Sequence, residues 1–251
     1  KIVDHPLLEA DGFDLDIGRM MPLLNTAKAV YVCNPNNPTG RLTPRKVLLE
    51  LLQECERKEV MLFLDETLQE LVPDAKDYTC VAEAESRPNL FIIKSFTKCF
   101  AIPGLRLGYG IGSEGVINYM DRARLSWNMG TVESSVGAFL LRERYQHVID
   151  GARIMADEKE RIVPELRRTH FFHLRTPDAF FFFTRIMPSD INSRDLVDYL
   201  MERKMLIREC SSFGKPFERH VRFAIKTRER NDLLLAALRD ASKELRLWEE
   251  R

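Results

Sequence analysis

The sequence predicts an α/β protein, a large first domain with a mostly parallel sheet followed by a smaller α+β domain. Three observations carry that expectation. Short apolar runs rich in β-branched and aromatic residues recur through the first half. Amphipathic stretches separate them at the spacing of strand–helix–strand crossovers. Beyond about residue 150 the rhythm changes to short, closely spaced strands with helices among them. The first domain is therefore expected over 1–150 and the second over 151–251.

Taken in order, "AVYVC" (29–33), "VMLFL" (60–64) and "LFIIK" (90–94) read as strands, and "RLGYGIG" (106–112) as a weaker fourth. Between the first two, "TPRKVLLELLQECERK" (43–58) reads as a helix, with Thr43 as N-cap and Pro44 in the first turn. Its Leu48, Leu51, Leu52 and Cys55 share one face. A parallel sheet built this way is expected to be covered on both sides. Residues 131–170 read as helical, and charge runs such as "RERYQ" and "DEKERIV" read as solvated faces. The second domain offers strands "FFHL" and "AFFFFTRI", helix "SRDLVDYLMERK", strands "MLIRE" and "HVRFAIK", and a final helix "NDLLLAALRDASKELRLWEE".

Bulk properties narrow the partners. Lys plus Arg and Asp plus Glu both number 38, so the net charge is zero. That balance argues against a broad nucleic-acid or anionic-membrane surface. The five cysteines are scattered and form no C-x-x-C pair, which reads as reduced thiols of a cytoplasmic protein without a metal or disulfide framework. No apolar run is long enough to span a membrane. The opening "KIVDHPLLEA" has neither an initiator Met nor a signal-peptide pattern and reads as cut from something longer.

Chemistry is expected beyond the carboxyl ends of the parallel strands, where ligands of open α/β sheets bind. Asn37 follows the first strand inside "NPNNPTG" (34–40), a loop stiffened by two Asn-Pro steps. Asp65 and Glu66 end the second strand; Ser95, Thr97 and Lys98 follow the third. Singly, each has a plainer explanation: Asp65 as a cap, Asn37 as a turn former, Lys98 as a solvated lysine. Delivered to one edge, they form a coherent polar site. "GYGIG" lacks the G-x-G-x-x-G spacing of a dinucleotide loop and its acidic partner.

These segments carry a resemblance. "NPNNPTG", "FLDE", "SFTKCFAIPGLRLGYGIG" and "HVRFAIKTRERNDLLLAAL" resemble the fold-type I pyridoxal-phosphate enzymes of the class I/II aminotransferase family. Within it they resemble the branch of histidinol-phosphate aminotransferase and threonine-phosphate decarboxylase. The resemblance implies pyridoxal 5'-phosphate as cofactor, attached to Lys98, with Lys94 the nearby rival amine. It implies Asp65 against the pyridinium nitrogen, Asn37 on the phenolic oxygen, and Ser95 with Arg106 on the cofactor phosphate. Arg222 matches the arginine that grips a substrate carboxylate, and Arg208 one that helps bind a distal phosphate. A small phosphorylated amino acid or amine is the implied substrate, and a homodimer the implied assembly.

Two departures stand out. Leu68 occupies the position where the family commonly has a tyrosine donating to the phenolic oxygen. The family's leading segment, which supplies a phosphate-binding helix N-terminus, a ring-stacking aromatic and an arm, is missing from these residues. The expected activity is decarboxylation of threonine phosphate in cobalamin biosynthesis. Histidinol-phosphate aminotransferase is the alternative, and a catalytically silent fragment or reused regulatory domain the third reading.

Overall fold

A computed structural model of the chain describes residues 1–245. It divides into two compact units, the first comprising Lys1–Asn37 and Arg41–Ala152, the second beginning at Arg153 and including Pro38–Gly40.

The first unit contains α1 (Ile17–Leu24), β1 (Ala29–Cys33), α2 (Arg45–Arg57), β2 (Met61–Asp65), α3 (Val81–Ala84), β3 (Leu90–Ser95), α4 (Phe96–Cys99), β4 (Gly108–Gly112), α5 (Glu114–Ala123) and α6 (Thr131–Glu143). The long α7 (Tyr145–Arg168) runs on into the second. The sheet order is β1-β2-β3-β4, with the first three strands parallel and β4 antiparallel to β3. Successive strand residues point to opposite faces. On one face Val32, Leu62, Leu64, Leu90 and Ile92 are buried in a single cluster with Leu48, Leu51, Leu52 and Cys55 of α2 and Met20 and Leu24 of α1. Each such side chain contributes about 1.5–3 kcal/mol through burial.

The other face differs from the expectation of cover on both sides. There Tyr31, Phe63 and Phe91 are consecutive register partners. Tyr31 and Phe63 stack at 4.5 Å, and Phe91 meets Phe63 edge-on at 5.9 Å. Phe91 also lies over Gly110, where a Cβ would fall 2.1 Å from the ring's Cζ. Tyr31 remains 73% exposed, so among the described residues this face is only partly covered. The helices of the α1–α2 layer all serve the opposite face, which explains the asymmetry.

Thr43 is not the N-cap of α2. Pro44 holds that position, because the Thr43 amide is used elsewhere, donating to Asn34 Oδ1 at 2.8 Å.

The second unit contains β5 (Phe172–His173), β6 (Phe181–Ile186), α8 (Ser193–Glu202), β7 (Arg208–Glu209), β8 (His220–Ala224) and α9 (Arg228–Glu244). Its antiparallel sheet has the order β5-β6-β8-β7. The unbroken "FFF" of β6 reflects burial on both faces. Asn192 and Asp195 form a reciprocal capping box on α8. The expected strand "MLIRE" contracts to Arg208–Glu209. The final helix starts three residues before the expected Asn231, whose side chain instead accepts from Lys226 N and donates to Lys226 O. The end expected for that helix, 246–250, lies outside the described residues. Gly40, at φ +71°, offers its carbonyl to the amides of Asp178 and Ala179. All five cysteines are free.

Candidate functional site

The register of the parallel strands brings the polar residues of three loops to one edge. Cys33 pairs with Asp65, and Asp65 with Ile93, so β1 and β2 end level and β3 runs two residues further, to Ser95. Asn34 N donates to Asp65 O at 2.8 Å, and Glu66 N to Ile93 O at 3.0 Å, extending the pairing just past the strands. Asn37 is exposed four residues beyond β1. Its backbone amide donates to the Cys33 sulfur, whose pKa is pushed up to about 11 by burial and by the Asp65 carboxylate. Asn37 and Asp65 thus converge on Cys33.

Asp65 ends β2 half-buried, with Oδ1 accepting from Thr67 N at 3.0 Å. The plainer reading of Asp65 as a turn cap is therefore correct for that oxygen. Ser95 ends β3 and caps α4, its Oγ accepting from Thr97 N at 3.1 Å. Lys98 follows on α4 and is exposed. Arg106 stands at φ +52° immediately before the turn into β4 and donates to Pro103 O at 3.2 Å. Phe96 N to Leu107 O and the Ser95–Gly108 pairing bring that turn to the end of β3.

The two lysines of this edge have opposite surroundings. Lys94 points to the covered face and is buried. Its ammonium meets Glu66 Oε2 at 2.8 Å, Glu70 Oε1 at 3.1 Å and Gln69 Oε1 at 2.8 Å. Burial alone would lower its pKa, but the two carboxylates outweigh burial and raise it. An ammonium has three donors, and these acceptors use all three. Glu66 in turn accepts from the Thr79 hydroxyl at 2.8 Å, and burial raises its pKa. This cluster was not anticipated as a unit. Its signal is a lysine and a glutamate at positions where strand alternation calls for apolar side chains.

Arg208 and Arg222 lie in the second unit as register partners on β7 and β8. Arg222 is half-buried with its guanidinium 5.4 Å from the Phe181 ring centroid. Burial lowers its pKa, and the neighbouring Arg208 acts in the same direction. Arg208 is exposed and donates to Ser212 Oγ at 2.8 Å. Leu68, half-buried, leads into the short helical turn after Asp65. Among the described residues there is no cluster of three or more metal-ligating side chains and no helix long and apolar enough to cross a membrane.

An open sheet with amide, carboxylate, hydroxyl and amine side chains on its carboxyl edge, joined to a smaller antiparallel α+β unit, defines a broad class of α/β proteins that bind ligands at strand ends. Within that class, the model of the family "aminotransferase class I and II" matches residues 1–238, and the chain belongs to this family. It is 28% identical over 238 residues to a putative threonine-phosphate decarboxylase of Caldanaerobacter subterraneus, covering 95% of this chain and 64% of that protein. It is also 28% identical over 240 residues to a histidinol-phosphate aminotransferase of Ruminiclostridium cellulolyticum, again covering 95% and 64%. The chain thus spans just under two thirds of the length of these relatives. Among solved structures, the histidinol-phosphate aminotransferase of Clostridium acetobutylicum superposes with a TM-score of 0.85 at 28% identity, over 92% of this chain and 69% of that one. The histidinol-phosphate aminotransferase of Sinorhizobium meliloti, solved with pyridoxal-5'-phosphate, shares the fold with a TM-score of 0.84 at 22% identity, over 98% of this chain and 65% of that one.

Proposed function

We propose that this chain carries the cofactor-binding residues of a pyridoxal-phosphate enzyme that acts on a small phosphorylated amino acid. The observation that supports this most is the contrast between the two lysines. Lys94 is locked as a cation between carboxylates, whereas Lys98 is exposed on the same edge as Asp65 and Ser95. The donor set fits the cofactor group by group. Asp65 would pair with the pyridinium nitrogen, Asn37 would donate to the phenolic oxygen, Ser95 and Arg106 would hold the phosphate, and Lys98 would bond the aldehyde carbon. Bound there, pyridoxal phosphate supplies an electron sink for the α-carbon of an amino acid.

The chain's own residues then decide the outcome. The Lys98 amine would serve as a proton carrier at the substrate's α-carbon. Arg222 would fork onto the substrate carboxylate, and Arg208 onto the distal phosphate. These contacts would orient the substrate and so select which bond at its α-carbon is broken. Loss of that carboxylate as carbon dioxide and removal of the α-hydrogen by Lys98 are the two outcomes these residues would choose between. Leu68 has no hydroxyl to offer the phenolic oxygen. We read that as favouring release of carbon dioxide from threonine phosphate, with an amino-alcohol phosphate as the other product, over proton shuttling in transamination. The equal identity to a histidinol-phosphate aminotransferase supports amino transfer as the second reading.

Incubating the full-length protein and cofactor with threonine phosphate, then identifying products, tests the proposal. Amino transfer from histidinol phosphate to 2-oxoglutarate, with no carbon dioxide from threonine phosphate, decides for the second reading.

A further inference from the structure

Directly behind the candidate edge lies a buried polar layer that the proposed chemistry does not use. Next to the last residue of each of the three parallel strands is a buried polar side chain, namely Asn34, Glu66 and Lys94. Asn34 Nδ2 donates to Thr43 O at 3.1 Å and Tyr78 O at 2.9 Å. Glu66 accepts from the next residue of that loop, Thr79, and its other oxygen from Cys80 N at 3.4 Å. Lys94 joins Glu66 to Glu70. Because strand residues alternate in direction, Glu66 is the buried neighbour of Asp65, and Lys94 the buried neighbour of Ser95, four residues before Lys98.

As a source of stability this arrangement is poor. Apolar side chains of similar volume commonly stabilise as well as or better than a buried ion cluster. This cluster also leaves Glu70 Oε2 and Gln69 Nε2 buried without partners. What it does supply is a fixed distance. A three-donor ammonium on β3, bonded to Glu66, Gln69 and Glu70 of the segment that follows β2, admits one register, whereas an apolar contact can slide.

We infer that Lys94, held by Glu66 and Glu70, is a positioning residue that locks the end of β2, which bears Asp65, to the end of β3, which leads into α4 and Lys98. The inference rests on the pyridoxal-phosphate reading for its functional consequence, but the lock itself does not. By the same contacts Lys94 is kept charged and withdrawn as a competing nucleophile.

The test compares the full-length wild type with Lys94→Met and Lys94→Arg. Backbone hydrogen exchange is followed by mass spectrometry in the cofactor-free protein, over peptides spanning 64–80 and 93–99. Pyridoxal phosphate is then titrated by its visible absorption, and the attached lysine is mapped after borohydride reduction. The expected result for Lys94→Met is exchange at least tenfold faster in both peptides together and cofactor capture at least tenfold weaker. Residual trapping should still map to Lys98, and Lys94→Arg should restore both quantities to within threefold. Faster exchange with unchanged cofactor capture would reduce Lys94 to a structural residue and overturn the inference. So would unchanged exchange, or trapping that maps to Lys94. If Lys94→Met does not fold, the charge-matched Glu66→Gln/Lys94→Met double variant carries the same measurements with the same criteria. Failure of the wild type to capture cofactor would refute the functional reading and the positioning role with it, while the exchange comparison would still decide the lock.

Discussion

Arg208 and Arg222 stand directly opposite one another on β7 and β8, two guanidinium side chains on one rung of an antiparallel pair. Residues so placed have Cβ atoms about 4.5–5.5 Å apart, and like charges there repel. The two arginines are turned to different supports. Arg222 lies against Phe181 at 5.4 Å, Arg208 against Phe213 at 5.7 Å with a hydrogen bond to Ser212.

The first prediction concerns this pair. Replacing Arg222 with Lys should raise KM for any carboxylate substrate at least tenfold, because an ammonium cannot reproduce a forked pair of charged hydrogen bonds, about 1.5–3 kcal/mol each. Arg208→Ala should penalise a phosphorylated substrate much more than its unphosphorylated counterpart. Steady-state kinetics with both substrates checks it, and equal penalties would remove Arg208 from phosphate binding.

A second prediction separates the two lysines of the β3 edge. Lys98→Ala in the full-length protein should abolish the visible absorption of lysine-bound cofactor and its trapping by borohydride. Undiminished trapping in that variant would return Lys94 to consideration despite its two carboxylate partners.

Gly108 supplies the third. A Cβ at this position would stand 2.7 Å from the Lys94 carbonyl oxygen, a backbone atom with little freedom to retreat. Gly108→Ala should therefore push β4 away from β3 and cost about 1–3 kcal/mol. Urea unfolding should show a lower midpoint, with looser cofactor capture, since Ser95 is the register partner of Gly108.

The fourth is a pH dependence in the second unit. Glu158 receives Arg161 Nε at 2.9 Å and Asn231 Nδ2 at 3.0 Å. The hydrogen bond from Arg161 holds its pKa below the ordinary 4.5, against a smaller opposing effect of burial. A depressed carboxylate pKa contributes stability that is present above the ordinary value and lost as pH falls through the folded-state value. Glu158→Gln should thus unfold more readily than wild type at pH 7, with the gap closing in acid. Thermal melts across that range provide the check, and a gap independent of pH would rule out the linkage.

Much of this architecture was legible in the residues. The strands around Val32, Leu64 and Ile92 announce themselves because their apolar side chains sit between turn-forming residues. The helix face of Leu48, Leu51, Leu52 and Cys55 follows from a period of 3.6. The polar edge was legible because Asn37, Asp65 and Ser95 each follow such a strand. Less legible was anything set by neighbours distant in sequence. Thr43 reads as a cap until Asn34 takes its amide, and Asp65 reads as either a cap or a ligand until Thr67 N is found on one of its oxygens. Lys94 reads as a rival amine until the chain brings Glu66 and Glu70 to it. Those outcomes depend on which sequence-distant partners the fold brings to each group, which local pattern does not encode.

The aromatic rung of Tyr31, Phe63 and Phe91 has a consequence for how the polypeptide behaves in the tube. Tyr31 is 73% exposed, and it sits on β1, an edge strand of the sheet among the described residues. A flat, ring-bearing margin of this kind is adhesive. Solutions of these 251 residues by themselves should bind hydrophobic dyes while still folded and scatter light increasingly with concentration. Substituting Tyr31 with Lys should calm that colloidal behaviour without disturbing the α1–α2 layer on the far side of the sheet.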